Sequence, residues 1–124
     1  LIGTSSPKKT GVRSVELDDP DLFEEVKFGG CRISIRGDRR SGAMARIVYG
    51  KAAVILTYGL SSVPDGLDLD GDLLVHFSPG SPLTSEELAS LITPAEVIGP
   101  RKLEGCGWVK VITDGERIWI DEVR

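Results

Sequence analysis

Two apolar, largely β-branched runs, Ala45 to Tyr49 and Ala52 to Tyr58, are separated only by Gly50-Lys51. Runs of this kind predict central strands, and a two-residue break containing glycine predicts a tight hairpin between them. A chain with such a pair near its middle is committed to a sheet. Upstream, Cys31, Ile33 and Ile35 alternate with Arg32, Ser34 and Arg36, which predicts a half-buried strand with a basic outer face, followed by a turn over 37–42. Downstream, residues 59–71 hold Pro64, several glycines and a group of aspartates and read as a solvated loop, with Leu73 to Phe77 as the next short buried strand.

Helix signals flank this sheet. Asp19-Pro20 offers an N-cap carboxylate and a first-turn proline, and Leu22, Phe23 and Val26 then fit one face of a helix ended by Gly29-Gly30. Thr84 with Glu87 forms a capping box, Leu83 and Leu88 fit a hydrophobic staple, and Leu88, Leu91 and Ile92 supply the apolar face. Thr93, Pro94 and Glu96 repeat the start signal and predict a further short helix stopped by Gly99-Pro100. Trp108 to Thr113 and Arg117 to Val123 then read as strands joined at Asp114-Gly115, the strongest short hairpin signal in the chain. The expected fold is a small mixed α/β (α+β) sheet with two or three short helices. Residues 1–11 read as a flexible arm, 12–44 as a shortened amino-terminal strand-helix-strand region beginning with the alternating stretch Val12 to Leu17, and 45–124 as the main domain.

Composition narrows the function. With 40% hydrophobic and 27% charged residues in 124, the chain is expected to fold as one compact unit. A net charge of −4 argues against a chain that wraps nucleic acid by itself. Arg32, Arg36, Arg39 and Arg40 crowd one stretch and Asp65, Asp68, Asp70 and Asp72 another, so separated basic and acidic regions suited to docking a charged partner are expected. No apolar run approaches the ~20 residues of a membrane span and residues 1–10 lack a secretory apolar stretch, so a cytoplasmic protein is expected. The two cysteines, Cys31 and Cys106, have no Cys or His at metal-ligand spacing; buried free thiols are expected, a disulfide or reactive thiol is the alternative, and neither a metal nor a cofactor is implied.

Candidate chemistry is sparse. His76 is the only histidine and lies in an apolar run, which favours a structural role over acid–base work. Asp70 and Asp72 are paired acids in an aspartate-rich loop, better read as solvated charges than as a hydrolytic pair. Lys102, after Arg101, is a cation that could face a phosphate or cap helical carbonyls. Asp114-Gly115-Glu116 reads as ordinary turn chemistry, with partner contact as the alternative.

Taken in order, Asp70-Gly71-Asp72-Leu73-Leu74-Val75-His76, the capped helix from Thr84, Gly99-Pro100-Arg101-Lys102 and the terminal hairpin resemble the carboxy-terminal domain of archaeal tRNA splicing endonuclease. The resemblance covers about residues 45–124, and 12–30 resembles a shortened start of that family's amino-terminal domain. It implies metal-free RNA cleavage by a Tyr, a His and a Lys, in which a base activates the 2′-hydroxyl, an acid protonates the leaving oxygen and lysine stabilises phosphate charge, leaving a 2′,3′-cyclic phosphate. Lys102 falls on the family lysine and Tyr58 within about two residues of the family tyrosine, but the family histidine position is Asp70 and the family's RNA-holding arginine falls on Ala95. An aspartate ionised at neutral pH cannot donate the proton a departing alkoxide needs.

The resemblance therefore implies a non-catalytic structural subunit of the heterotetrameric enzyme, assembling with a catalytic subunit and meeting precursor tRNA through the complex, with Arg101 and Lys102 as weak RNA contacts. It further implies that the acidic turn Asp114-Gly115-Glu116 docks in a basic pocket of the opposite subunit, and that the last strands, with Trp119 and Ile120, mediate self-association. Two alternatives stand beside it. One is a self-sufficient metal-independent ribonuclease using Tyr58, Lys102 and His76, and the other a free-standing RNA- or protein-binding module using the arginines at 32, 36, 39 and 40.

Overall fold

The computed structural model describes residues 22–38, 40–64, 66–77, 82–105 and 108–123. The arm expected over 1–11, the alternating stretch Val12 to Leu17, the helix start at Asp19-Pro20, and Cys106 lie outside the described residues. The chain is mixed α+β. Strands β1 (Leu22–Phe28), β2 (Cys31–Asp38), β3 (Gly42–Tyr49), β4 (Ala52–Tyr58), β5 (Leu73–His76) and β6 (Glu96–Ile98) form one sheet in sequence order. The first four are an antiparallel meander; β5 runs parallel to β4 and β6 parallel to β5. Helix α1 (Ser85–Ile92) links β5 to β6, α2 (Pro100–Gly105) follows β6, and β7 (Trp108–Thr113) with β8 (Ile118–Val123) forms a separate two-stranded hairpin. The boundary expected between residues 44 and 45 falls inside β3.

The central hairpin stands as its residues predict, with Tyr49 opposite Ala52 and Gly50 in the left-handed region at φ 59°. β4 and β5 carry apolar residues on both faces, and the two faces lead to two cores. Met44, Ile55 and Leu74 meet Leu60 of the 59–72 connection and Leu88 and Ile92 of α1. Val54, Leu73, Val75 and Ile98 meet Leu103 of α2 and Val109, Ile118 and Ile120 of the terminal hairpin. Both crossovers, β4 to β5 and β5 to β6, step the same way across the sheet, so a common hand brings both onto one face. The hairpin takes the other face.

Three expectations are corrected. The helix expected over Asp19 to Phe28 is, across 22–28, strand β1, paired along its length with β2 from Leu22 opposite Gly37 to Phe28 opposite Cys31. Gly29 and Gly30, both at positive φ (54° and 81°), make the two-residue hairpin turn between them and do not stop a helix. Thr93 does not start a second helix. It is the C-cap of α1, at φ 50° and ψ 50°, its N–H donating to the Ala89 carbonyl at 2.8 Å, and Pro94 follows as a residue that cannot continue the helix. Glu96 then enters β6, with Ala95 and Glu96 N–H both donating to the Asp72 carbonyl. Pro100, expected as a stop, opens α2, where its missing N–H and fixed φ suit a first helical position.

The helix from Thr84 is capped as expected: the Glu87 N–H donates to Thr84 Oγ1 at 3.1 Å and the Glu87 carboxylate accepts from the Thr84 N–H. Leu88 and Ile92 are buried, but Leu91, placed on the same face by sequence, is exposed. The 59–72 connection crosses the arginine-bearing face: Arg46 donates from Nε to the Asp70 carbonyl at 2.7 Å and meets the Asp68 carboxylate at 3.7 Å, while the Arg36 guanidinium lies beside Gly66. Arg46, outside the 32–40 stretch, is thus a cation that meets the aspartate-rich connection.

Candidate functional site

Tyr58 closes β4 and is 55% exposed. Asp70 is an exposed residue just before β5, its N–H donating to Asp68 Oδ1 at 2.9 Å. The parallel register sets Thr57 opposite His76, so Tyr58 lies level with Phe77 and Asp70 near the opposite end of the strands. Asp70 is held over the face of Met44 and Ile55, where its carbonyl accepts from Arg46 Nε, whereas strand alternation puts Tyr58 on the opposite face with Val54 and Leu56. Lys102, exposed on α2, follows the carboxyl end of β6 and therefore lies at the Tyr58 end. The positions of the family triad are thus not brought together: Tyr58 and Lys102 share an end of the sheet and Asp70 does not. Asp72, its neighbour, is a structural bond, its Oδ2 accepting from the Ala53 N–H at 2.9 Å to pin the start of β5 to β4.

The terminal hairpin presents two surfaces. Ile118 and Ile120 face the sheet, so Ile120 is spent in the core. Trp119 and its cross-strand neighbour Ile112 face outward, 45% and 42% exposed, with the Arg117 guanidinium 5.4 Å from the Trp119 ring centroid. The turn between the strands is held by its own residues. Asp114 Oδ1 accepts from the Arg117 and Glu116 N–H groups at 2.8 and 2.9 Å, and those bonds, that to Arg117 first, hold its carboxyl below the usual carboxylate range. Gly115 is buried: its carbonyl accepts from the Lys51 N–H, and its backbone lies so close to Gly50 that a Cβ on Gly50 would fall 2.6 Å from that carbonyl oxygen. Glu116 stays exposed at the tip.

At the carboxyl ends of the parallel strands the structure assembles a polar group that the sequence does not announce. His76, 3% exposed, points from β5 to the first turn of α1, and its Nδ1 lies 2.7 Å from Ser85 Oγ. Burial pushes its pKa below the ordinary histidine value of 6.5, so the ring is neutral at physiological pH. On the neighbouring strand and the same face stands Thr57, 1% exposed. Among the described residues neither Thr57 Oγ1 nor His76 Nε2 has a hydrogen-bond partner. Sequence reading singled out His76 as the lone histidine but missed Thr57 and Ser85. Their only signals were a threonine one residue before the end of an otherwise apolar strand and a serine directly after a helix cap.

Among the described residues no group of three or more His, Cys, Asp or Glu side chains is placed to hold a metal ion, and no helix is long and apolar enough to cross a membrane. Cys31 is a half-buried free thiol. The fold and these surfaces define a mixed α+β protein with a polar group at the parallel strand ends and an apolar outer hairpin. Compared with known protein families, curated proteins and solved structures, the chain gives no significant match.

Proposed function

We propose that the chain is a non-catalytic subunit that docks a partner through the outer face and turn of its terminal hairpin, of the kind found in tRNA splicing endonuclease. The observation that carries the docking role is the outward Trp119–Ile112 pair beside a turn whose shape is fixed by Asp114 and by the backbone contact with Gly50. Large exposed aromatic and aliphatic side chains next to fixed charges are what interface centres are built from. The placement of Tyr58 and Asp70 on opposite faces of the sheet supports a chain without the family's cleavage chemistry. The finer reading, that α1 and the mixed sheet correspond to the family's carboxy-terminal domain and that the partner is a catalytic subunit acting on precursor tRNA in a heterotetramer, rests on the order of motifs from Asp70 to the hairpin. Cytoplasmic assembly belongs to that reading.

The test is to mix the full chain with a catalytic subunit of that family and follow association and intron excision. Binding together with restored or altered excision is expected; no association, or excision by this chain alone that is lost in Lys102→Ala, overturns the reading. Glu116→Ala should weaken association most at low salt, where the charge it removes is least screened.

A further inference from the structure

We propose that Ser85 is a nucleophile whose proton His76 accepts, and that the pair takes acyl groups from small uncharged esters reaching it at the carboxyl ends of β5 and β6. This goes beyond the docking role and does not rest on it; the non-catalytic character of that role concerns RNA cleavage alone. The imidazole lies behind the serine: His76 is buried against the sheet, while Ser85 is half-buried and reaches the surface. A bond of 2.7 Å between Nδ1 and Oγ is the geometry of a serine and its general base. The hydroxyl is on the first turn of an eight-residue helix, whose positive end favours the oxyanion that attack would create. Among the described residues Nε2 has no hydrogen-bond partner and lies on the same sheet face as Thr57.

Two features set the substrate class. Gly99, beyond the end of β6, has an ordinary φ, and a methyl added to it would sit 3.4 Å from Ser85 Oγ, so the space on that side of the hydroxyl suits only a small group. Glu86 and Glu87 stand exposed in the same helical turn, Glu87 engaged with Thr84, and their charge repels anionic substrates. A small neutral ester satisfies both.

In the step itself, Ser85 Oγ adds to the ester carbonyl carbon while its proton passes to His76 Nδ1. The adduct collapses by breaking the bond to the alcohol oxygen, which leaves with that proton. Water then adds to the acyl-serine by the same route, releasing the carboxylic acid and restoring the hydroxyl.

The test exposes the full chain to an alkyl fluorophosphonate, where the Oγ–P bond forms and fluoride leaves, and to p-nitrophenyl acetate, with peptide mapping of the adduct. A single adduct on Ser85 is expected, with a rate that rises with pH and levels off with a midpoint below 6.5, since only neutral His76 accepts a proton. His76→Gln should slow it about 100-fold, the scale of a lost general base, and Gly99→Ala should slow it by setting a methyl against Ser85 Oγ while both residues of the pair are retained. No adduct on Ser85, a rate that climbs with hydroxide without levelling, or unchanged labelling in Gly99→Ala overturns the proposal. So does labelling within a few-fold of normal in a folded His76→Gln protein; should that variant not fold, the pH profile and Gly99→Ala decide.

Discussion

The two faces of the sheet are covered by different kinds of structure. One is closed by the connections that link β4 to β5 and β5 to β6, so its cover is tied to the sheet at both ends and contains the polar group of Thr57, His76 and Ser85. The other is closed by a hairpin that pairs only with itself, held by apolar contact and by its turn against Gly50–Lys51. A cover tied into the sheet can position a proton-transfer pair to a fraction of an ångström. A cover laid on the sheet keeps a far face free, and that is where Trp119 lies.

Leu73 and Leu74 test this difference most strongly, because they are consecutive, buried to within 1% and directed to opposite faces. Each changed to alanine should cost ~2–5 kcal/mol. Leu74→Ala should lie at the upper end, since α1 is held at both ends and cannot close the cavity, whereas the hairpin can settle toward Leu73→Ala. Chemical denaturation of both variants measures it; a larger loss for Leu73→Ala would break the comparison.

Next in size is the fastening of the hairpin. Gly50→Ala combines a left-handed backbone with a Cβ that would meet the Gly115 carbonyl, and strain of this kind costs on the order of 1–3 kcal/mol. The loss should be confined to the hairpin side. Amide exchange should rise across β7 and β8 and leave α1 protected; equal loosening of α1 would mean that the two covers act as one.

What was legible in the sequence follows the same division. Signals complete within a few residues were legible: the Gly50-Lys51 and Asp114-Gly115 turns, the alternation in β2 and the capping box of α1. Segments decided by distant partners were not. Leu22, Phe23 and Val26 fit a helical spacing as well as a strand, and pairing with β2 decides the matter. Glu96–Ile98 is too short to show any period and becomes a strand only beside β5. The candidate site divides likewise: His76 stood out by composition, while Thr57 and Ser85 join it only through the parallel register and the turn of chain that brings α1 over β5.

The start of α1 should be sensitive at a smaller scale. Thr84→Ala removes the side chain that caps the helix and should cost ~1 kcal/mol, seen as a lower melting temperature. Acid reaches the same place. Because the folded-state pKa of His76 lies below the unfolded value, the unfolded chain binds the proton more readily, so this residue's contribution is present above pH 6.5 and is lost as the pH falls toward the folded pKa. A ring titration by NMR with a midpoint above 6.5 would contradict the burial that the structure shows.

The smallest effect on stability is expected on the far face of the hairpin. Trp119→Ala removes a side chain that faces outward and touches the Arg117 guanidinium, an exposed contact worth ~0.5–1 kcal/mol, and leaves Ile118 and Ile120 in the core. Its melting temperature should therefore move little. If this face meets a partner, the same variant should lose affinity by 10-fold or more, because a large aromatic that is nearly neutral for folding becomes decisive once water is excluded around it. The two measurements separate the roles. A stable variant that no longer associates places the function on the hairpin, and a stable variant that associates as before removes this face from the interface and leaves the strand-end site as the functional end of the molecule.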